Sequence, residues 1–201
     1  MIRGKLIALE GLDGCCKSTQ LPRLAAALRG EGRDIVETRE PTDGPAGRRL
    51  REIARSGQRG SVEDELRWFV EDRRQHVDEL IEPALAAGRW VITDRYFLST
   101  VAYQGARGPN WRVILADCEA MFPAPDVALL FELPVVEGLA RAQQRGGAAE
   151  PGFERADELE RVAAIFAAIE RRYVARVDAS GDVEQVTARA LGALHDVLGG
   201  S

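Results

Sequence analysis

The stretch 6–19 holds the residue types that could bind a phosphate group. A short apolar run with β-strand character is followed by a loop that contains Gly11 and Gly14, and apolar residues at helical spacing predict a helix from about Lys17 to Arg29. A strand, a glycine loop, a lysine with a hydroxyl residue and a helix, in this order, are typical of a P-loop. Free backbone N–H groups and the positive end of the helix dipole attract a phosphate there. The alternative is an ordinary strand–turn–helix unit.

One position of this loop departs from the P-loop template G-x-x-x-x-G-K-[ST]. Gly11, Lys17 and Ser18 fill their positions, but Cys16 stands in place of the second glycine. Lys17 is predicted to bridge the terminal phosphates of a nucleotide, and Ser18 to offer its hydroxyl to a magnesium ion. A side chain at position 16 crowds the phosphate or forces a backbone angle that L-residues avoid. We therefore expect a phosphate cradle that is altered at Cys16.

Polar residues at the ends of two further predicted strands could contribute to the same site. The apolar run 90–94 ends in Asp94, and the predicted strand 34–38 is followed by Arg39. Because ligands gather at the carboxyl ends of parallel strands, Asp94 is a candidate for holding Mg²⁺ or its waters, and Arg39 for clamping a phosphate or carboxylate. The alternatives are an aspartate that caps the next helix and a surface arginine.

A long helix is predicted from its N-cap residue Ser61 to about Ala87, with a kink or a break at Pro83. This helix carries Phe69 and Arg73. Because a nucleobase stacks on an aromatic ring and hydrogen-bonds to a guanidinium, the pair suits a base pocket. The alternative is that Phe69 simply belongs to the core.

The segment 44–56 before this helix is predicted to be helical and basic. Its arginines are expected to form a solvated face: Arg48, Arg49, Arg51 and Arg55. His76, on the following helix, is expected to be a helix-surface or packed histidine without a role in chemistry.

A glycine-rich segment, 146–152, lies between Arg145 and Arg155, and Arg141 precedes it on the same predicted helix as Arg145. Glycines supply hinges and arginines supply cations over a transferring phosphate, as a closing lid requires. The sequence therefore predicts a lid at about 141–156. The alternative is a surface loop with incidental arginines.

The composition excludes several classes of protein. The net charge of −5 argues against a broad nucleic-acid-binding face, and no stretch approaches the ~18 consecutive apolar residues of a membrane span. The N-terminus lacks the apolar region of a signal peptide. Cysteines at positions 15, 16 and 118 form neither a disulfide framework nor a metal-site pattern. We therefore expect a cytoplasmic protein in a reducing compartment that contacts neither nucleic acid nor a membrane.

Apolar strand candidates alternate with helical stretches along all 201 residues. This alternation is typical of an α/β fold in which helices cover both faces of a mostly parallel sheet. The sequence predicts a five-stranded parallel sheet in a single domain that spans residues 1–201.

Several motifs in order resemble the thymidylate kinase family, and the resemblance extends over nearly the whole chain. They are residues 9–14 with Lys17-Ser18-Thr19-Gln20, Thr38-Arg39-Glu40-Pro41, Phe69 with Asp72-Arg73 and His76, and Asp94-Arg95-Tyr96 continuing to Ser99 and Ala102-Tyr103-Gln104-Gly105. The resemblance implies the P-loop NTPase fold of nucleoside monophosphate kinases. It also implies transfer of the ATP γ-phosphate to dTMP with Mg²⁺, by a homodimer.

The resemblance also implies a set of site residues. The residues implied for ATP are Gly11, Gly14, Cys15, Cys16, Lys17, Ser18, Thr19 and Ala179. Those implied for the acceptor nucleotide are Glu10, Asp13, Arg39, Pro41, Phe69, Arg73, Arg95, Ser99, Tyr103 and Gln104. The implied metal-binding residues are Ser18 and Asp94. The implied catalytic cations are Lys17, Arg95, Arg141, Arg145 and Arg155, because family members with a glycine at the position of Gly14 place their catalytic arginines in the lid.

For the acceptor, the resemblance implies individual roles. Arg39 and Arg95 would hold the acceptor phosphate, Asp13 would take the sugar 3′-hydroxyl, and Tyr103 would crowd the 2′ position and favour deoxyribose. The loop around Ala179 would lie against the adenine of ATP.

Thymine would stack on Phe69 and hydrogen-bond to Arg73. Two alternatives to a dTMP kinase stay open at this point. The same fold could phosphorylate another pyrimidine monophosphate such as dUMP. The chain could also be a nucleotide-binding protein that transfers nothing, because Cys16 replaces a P-loop glycine.

The chain departs from the family pattern at further positions. Thr42-Asp43-Gly44 stands where the family usually has two glycines and a threonine, and Glu132 stands where aspartate is common. The lid lacks a dense arginine cluster. These departures bear on rate and substrate choice rather than on the fold.

The thiols of Cys15 and Cys16 are predicted to have a lowered pKa, because they lie at a helix N-terminus beside Lys17. Their oxidation or alkylation would then block the phosphate site. The alternative is that both thiols are buried and inert.

Overall fold

A computed structural model of the chain describes residues 2–57, 59–144 and 156–199. Its strands are β1 Leu6–Gly11, β2 Ile35–Arg39, β3 Trp90–Asp94, β4 Val127–Glu132 and β5 Val174–Asp178. Its α-helices are α1 Lys17–Gly30, α2 Pro45–Ser56, α3 Val62–His76, α4 Glu82–Ala86, α5 Phe97–Gly105, α6 Trp111–Met121, α7 Val135–Gln144, α8 Ala156–Ala168 and α9 Val183–Gly199. A π-helical segment, Val77–Ile81, joins α3 to α4.

The five strands form one parallel sheet in the order β2-β3-β1-β4-β5, as the alternating pattern predicts. Successive residues of β1 enter different cores. Leu6 and Ala8 pack with α5, α6 and α8, whereas Ile7 and Leu9 pack with α1 and α9. Burial on both faces is the reason why the inner strands β1 and β4 are mainly apolar, whereas the edge strands β2 and β5 carry charged residues.

The sheet register brings the predicted chemical residues to one edge. Leu9 pairs with Asp94, and Asp94 pairs with Arg39 on the other side of β3. Gly11 pairs with Phe131 at the end of β4. The carboxyl ends of the strands, where an α/β sheet binds its ligands, therefore face the P-loop.

The helical stretch after Ser61 begins as predicted, because the Ser61 side chain accepts a hydrogen bond from the Asp64 backbone N–H at 3.1 Å. The predicted kink or break does not lie at Pro83. The irregularity is the π-helical segment one turn earlier, and the chain remains helical to Ala86. Proline lacks an N–H and its ring collides with the carbonyl four residues before it, so the widened turn precedes the proline.

Helix α8 ends at Ala168, shorter than the helix to about Arg172 that the sequence predicts. The Arg176 guanidinium, on β5, donates to the backbone carbonyls of Ala167 at 2.8 Å and Ile169 at 3.3 Å. This strand residue satisfies the carbonyls at the helix end.

Within the described ranges, no helix is both long and apolar enough to cross a membrane.

Candidate active site

The P-loop backbone is left-handed at Cys16, the N-cap residue of α1, with φ 68° and ψ 16°. The Cys16 carbonyl accepts from the backbone N–H groups of Thr19 at 3.0 Å and Gln20 at 2.9 Å. An L-residue in this region costs about 1–2 kcal/mol, which glycine does not. The expectation that Cys16 adopts an unfavourable backbone angle is confirmed.

Helix α7 packs directly against this loop. A Cβ atom on Gly14 would lie 2.1 Å from the carbonyl oxygen of Gly138, so this close approach requires glycine. Arg141, one turn further along α7, places Nη1 2.9 Å from the carbonyl oxygen of Ala179 and 3.7 Å from Cys16 Sγ. The contact between α7 and the loop therefore brings an arginine beside the predicted donor site.

The Lys17 ammonium is buried against the P-loop itself. Nζ donates to the carbonyl oxygens of Gly11 at 3.0 Å and Leu12 at 2.7 Å, and the residue is only 5% exposed. A phosphate that enters the cradle must replace these carbonyls as the partner of the ammonium. The cation is thus already positioned in the loop that it serves.

The two thiols differ from each other. Cys15 is buried and its Sγ donates to the carbonyl of Leu12 at 2.8 Å. Burial raises the pKa of the Cys15 thiol, and the nearby Lys17 ammonium offsets this only in part. The predicted lowering of the pKa is therefore wrong for Cys15, because removal from water outweighs the neighbouring charge. Cys16 is half-buried, with Sγ 3.7 Å from the carbonyl of Gly14.

Ser18 and Asp94 lie together at the edge of the cradle. Ser18 Oγ donates to Asp94 Oδ2 at 2.6 Å, and Asp94 Oδ1 is buried without a hydrogen-bond partner among the described residues. No group of three or more His, Cys, Asp or Glu residues in those ranges could hold a metal by itself. Mg²⁺ usually takes one or two carboxylates and completes its shell with water and substrate phosphates. A hydroxyl beside an unpartnered carboxylate oxygen fits such an ion.

A small cavity of about 100 Å³ adjoins the cradle. Its walls are Asp13, Pro41, Leu50, Arg51, Ala54, Phe69, Arg95, Ser99, Thr100, Tyr103 and Gln104. Seven of these were predicted to bind the acceptor: Asp13, Pro41, Phe69, Arg95, Ser99, Tyr103 and Gln104. The structure therefore assembles most of the predicted acceptor site from α3, α5 and the loops after β1, β2 and β3.

Arg95 connects this cavity to the P-loop. Its backbone is left-handed, with φ 71°, and its guanidinium donates to the carbonyl of Gly11 at 3.2 Å, to Ser99 Oγ at 3.0 Å and to the Asp13 carboxylate. Burial lowers the pKa of the Arg95 guanidinium, but the carboxylate of Asp13 and other anionic neighbours raise it above its usual value overall. Arg95 is therefore a fixed and permanently charged cation between the two sites.

Arg73 lies behind the cavity rather than on its wall. The buried guanidinium donates to the Glu40 carboxylate at 2.7 and 2.9 Å and to Thr100 Oγ1 at 2.9 Å. Its Nη1 is buried without a partner among the described residues. His76 contacts Glu40 at 3.0 Å and the Thr38 hydroxyl at 2.8 Å, so it is the packed histidine that was one of the expectations.

Glu10 supports the site from inside the core. Its carboxylate accepts from the backbone N–H groups of Tyr96 at 3.0 Å and Leu98 at 3.1 Å and from the Ser99 hydroxyl. Burial raises the pKa of the Glu10 carboxyl to about 6, although the Ser99 hydrogen bond acts in the opposite direction. Its predicted contact with the acceptor stays a prediction, because Glu10 has 0% of its surface exposed and lines neither of the two cavities described for this site. It orients Ser99 and the start of α5.

A second and larger cavity, of about 630 Å³, lies on the other side of the Ser18–Asp94 pair. Arg39 lines this cavity, and it does not line the smaller one. Its side chain is 62% exposed and forms an ion pair with Asp43 at 3.1 Å. The structure therefore places Arg39 on the wall of the larger cavity and not in the small cavity, which most of the predicted acceptor residues line.

The chain is similar to known proteins over most of its length. A family model described as thymidylate kinase matches residues 9–190. The chain is 42% identical to a thymidylate kinase of Desulfotalea psychrophila over 183 positions, which cover 91% of this chain and 90% of the relative. It is 47% identical to one of Xanthomonas euvesicatoria (98% and 88% covered) and 42% identical to one of Akkermansia muciniphila (98% and 96% covered), each over 201 positions. The chain belongs to the thymidylate kinase family.

Membership in the thymidylate kinase family agrees with the function that the motifs predict. The matches give no support to the two alternatives, a kinase for another pyrimidine monophosphate and a nucleotide-binding protein without activity.

Two of the polar residues that line this thymidylate kinase site were not predicted, Arg51 and Thr100. Arg51, expected on a solvated face, lines the small cavity and donates to the carbonyl of Pro41 at 2.9 Å. Thr100 lines the same cavity beside Arg73. A signal for Arg51 was present, because Gly47 and Leu50 interrupt the basic pattern of α2. A Cβ atom on Gly47 would lie 2.2 Å from the carbonyl of Thr42, so this helix face is packed.

Two predicted lid arginines, Arg145 and Arg155, lie outside the described residues, as does most of the predicted lid at about 141–156. Arg141 is the predicted lid arginine that lies within the described residues.

Gln104 is buried and fixed at both ends. Its amide donates to Glu65 at 3.2 Å and accepts from Arg107 at 3.0 Å.

Proposed function

We propose that this member of the thymidylate kinase family phosphorylates dTMP to dTDP by direct, in-line transfer of the ATP γ-phosphoryl group. The observation that carries the proposal is the position of Arg95. Its guanidinium contacts the P-loop at Gly11 and lines the acceptor cavity with Asp13 and Ser99. A cation held between donor and acceptor sites stabilises charge on the group that moves from one to the other.

The transfer needs alignment and cations rather than a strong general base. The acceptor phosphate already carries an anionic oxygen at neutral pH, so no strong general base is needed to activate it, and the transfer is direct, without a covalent intermediate. Lys17, from the P-loop, and Arg95 act on the donor and acceptor sides, and Arg141 of α7 approaches from the region of Ala179. These charges are held in place before the substrates arrive, which lowers the cost of reorganisation during transfer.

Thymine recognition is assigned to groups around the small cavity. Phe69 lines it and offers a ring on which the base stacks. Arg73 lies behind this wall, where its Nη2 donates to Thr100 Oγ1 at 2.9 Å, and we assign its unpartnered Nη1 to a carbonyl on the edge of the base. The Tyr103 hydroxyl is likewise buried without a partner among the described residues. We assign it to the sugar, where its ring excludes a 2′-hydroxyl.

Mg²⁺ is part of this proposal, since the Ser18 hydroxyl and the unpartnered oxygen of Asp94 suit it. When bound with ATP, the ion neutralises phosphate charge. Ser18 and Asp94 hold their positions through their own hydrogen bond at 2.6 Å.

We also retain three proposals that rest on the sequence and the family resemblance. They are a lid at about 141–156, a homodimer and a cytoplasmic location. Val113 and Met121 of α6 are 55% and 44% exposed, which favours a covered face, and the free cysteines in the described ranges favour a reducing compartment. Sedimentation equilibrium would decide the oligomeric state.

The proposed activity is tested by coupled ADP release with ATP, Mg²⁺ and a panel of monophosphates. We expect dTMP to give the highest kcat/KM, with dUMP lower because it lacks the methyl group, a difference worth about 10–200-fold. TMP with a ribose should be a poor acceptor because of Tyr103. A higher kcat/KM for another monophosphate, or no ADP release with any of them, would contradict the proposal.

Replacing Cys16 by glycine is expected to raise the free energy of unfolding by about 1 kcal/mol, because glycine adopts the left-handed backbone at position 16 without strain. Thermal unfolding measures the change. Cys16→Ser is the matched control, since it removes the thiol and retains the Cβ atom, and its stability should stay near that of the wild type. Equal stability of the glycine and serine variants would contradict the strain argument.

The same variants show whether Cys16 affects turnover. If the wild-type chain turns over dTMP at a rate similar to that of the glycine variant, the P-loop tolerates Cys16. If only the glycine variant is active, the cradle is disabled in the wild type and the proposed activity is wrong for this chain.

A further inference from the structure

The loop after β2 places a carboxylate between two arginines. Asp43 Oδ1 lies 2.7 Å from Arg51 Nη2 and 3.1 Å from Arg39 Nη2. Asp43 is the middle residue of the Thr42-Asp43-Gly44 segment, which joins the loop after β2 to the start of α2. This segment therefore places a negative charge between two cations.

Each of the two arginines lines a different cavity. Arg51 lines the small cavity together with Arg95 and Asp13. Arg39 pairs with Asp94 in the sheet register and lines the larger cavity with Asp43. The Arg51–Asp43 pair joins the walls of the two cavities, and this junction is the mouth at which an acceptor phosphate would use the same cations.

Neighbouring contacts fix the segment that carries this carboxylate. The Asp43 backbone carbonyl accepts from Arg48 Nη1 at 2.6 Å. The preceding residue, Thr42, donates from its backbone N–H at 2.9 Å and from its hydroxyl at 2.5 Å to the buried carboxylate of Asp72. The loop is held on both sides of Asp43, so the carboxylate stays at the mouth of the site.

Stability does not account for this arrangement. The side chains of Asp43 and Arg39 are 78% and 62% exposed, and ion pairs that are so accessible to water contribute little to folding. An acceptor phosphate, in contrast, brings up to two negative charges to the same cations. A carboxylate that lies a few Å from a phosphate repels it even through water.

We propose that Asp43 is a specificity-determining residue that competes with the acceptor phosphate for Arg39 and Arg51 and so weakens the binding of dTMP. This inference rests on the proposed function, because it assumes that the acceptor phosphate enters at this mouth. Asp43 acts on the phosphate and not on the base or sugar. Its effect therefore falls on phosphorylated acceptors and is absent for the nucleoside thymidine.

The test is Asp43→Asn, with dTMP and thymidine affinities measured by calorimetry. We expect the Kd for dTMP to fall about fivefold to tenfold, in line with one charge pair near a protein surface. The Kd for thymidine should not change, and added salt should reduce the difference for dTMP. The KM for dTMP in the ADP-release assay should fall in parallel.

Asp34→Asn is the matched control. Asp34 also forms an exposed ion pair, with Arg89 at 3.0 Å, and it precedes β2 at the opposite end of the sheet from the site. It changes the net charge by the same amount and should leave both affinities unchanged. Equal effects of the two variants would show a general charge effect and overturn the inference.

Two other results overturn it. If Asp43→Asn leaves the Kd for dTMP unchanged or raises it, while the wild type still phosphorylates dTMP, Asp43 holds the arginines in place rather than competing for them. If the wild type neither binds nor phosphorylates dTMP, the proposed function itself fails, and this inference fails with it.

Discussion

Replacing Arg95 by alanine is expected to lower kcat about 10³-fold while the affinity for ATP stays nearly unchanged. Arg95 is fixed by Asp13, Ser99 and the carbonyl of Gly11, and it faces the acceptor cavity. Loss of a single cation that stabilises phosphoryl transfer costs about 10³–10⁵ in kcat in related chemistry. Lys17, which holds the ATP phosphates in our proposal, is untouched. Steady-state kinetics and ATP titration in the absence of dTMP measure the two effects separately.

Two further variants test whether a loss of activity in Arg95→Ala comes from the loss of the cation or only from misfolding. Arg95→Lys keeps the charge and loses the forked geometry, so its kcat should lie between those of the wild type and the alanine variant. Arg89→Ala removes an arginine that pairs with Asp34 on the surface, far from the site, and should leave kcat unchanged. An Arg95→Ala enzyme with wild-type turnover would refute the role assigned to Arg95.

Replacing Asp94 by asparagine is expected to reduce kcat at a fixed Mg²⁺ concentration by about 100-fold and to raise the Mg²⁺ concentration needed for half-maximal rate. Asparagine keeps the shape of the side chain and can still accept the hydrogen bond from Ser18. It removes the negative charge of the Asp94 carboxylate, which we propose as the ligand of Mg²⁺, a hard cation.

The measurement is the rate as a function of Mg²⁺, together with the Kd of ATP in EDTA, which should not change. Ser18→Ala should shift the Mg²⁺ dependence in the same direction but by less, since a hydroxyl is a neutral ligand. If the rate of Asp94→Asn depends on Mg²⁺ concentration as that of the wild type does, Asp94 does not bind the metal.

The P-loop and its neighbours could be predicted because their signals are local. Glycine spacing and a lysine–serine pair specify a strand, a loop and a helix start within about a dozen residues, and the N-cap at Ser61 depends only on the next helical turn. The strained backbone at Cys16 follows from one residue type at one template position. Motif order then indicated the family, which the comparisons show.

The sequence by itself determined the α/β class, the phosphate cradle, the candidate cations Lys17 and Arg95 and the family. Tertiary structure decided what burial and distant neighbours impose. Glu10 is enclosed by the start of α5, Cys15 is removed from water, and Arg51 is turned inward by the packing of α2. The local sequence pattern determines backbone conformation. The exposure of a side chain and the charges around it depend instead on residues that are distant in the sequence. Glu10 and Ser99, for example, form a hydrogen bond although they are about ninety positions apart.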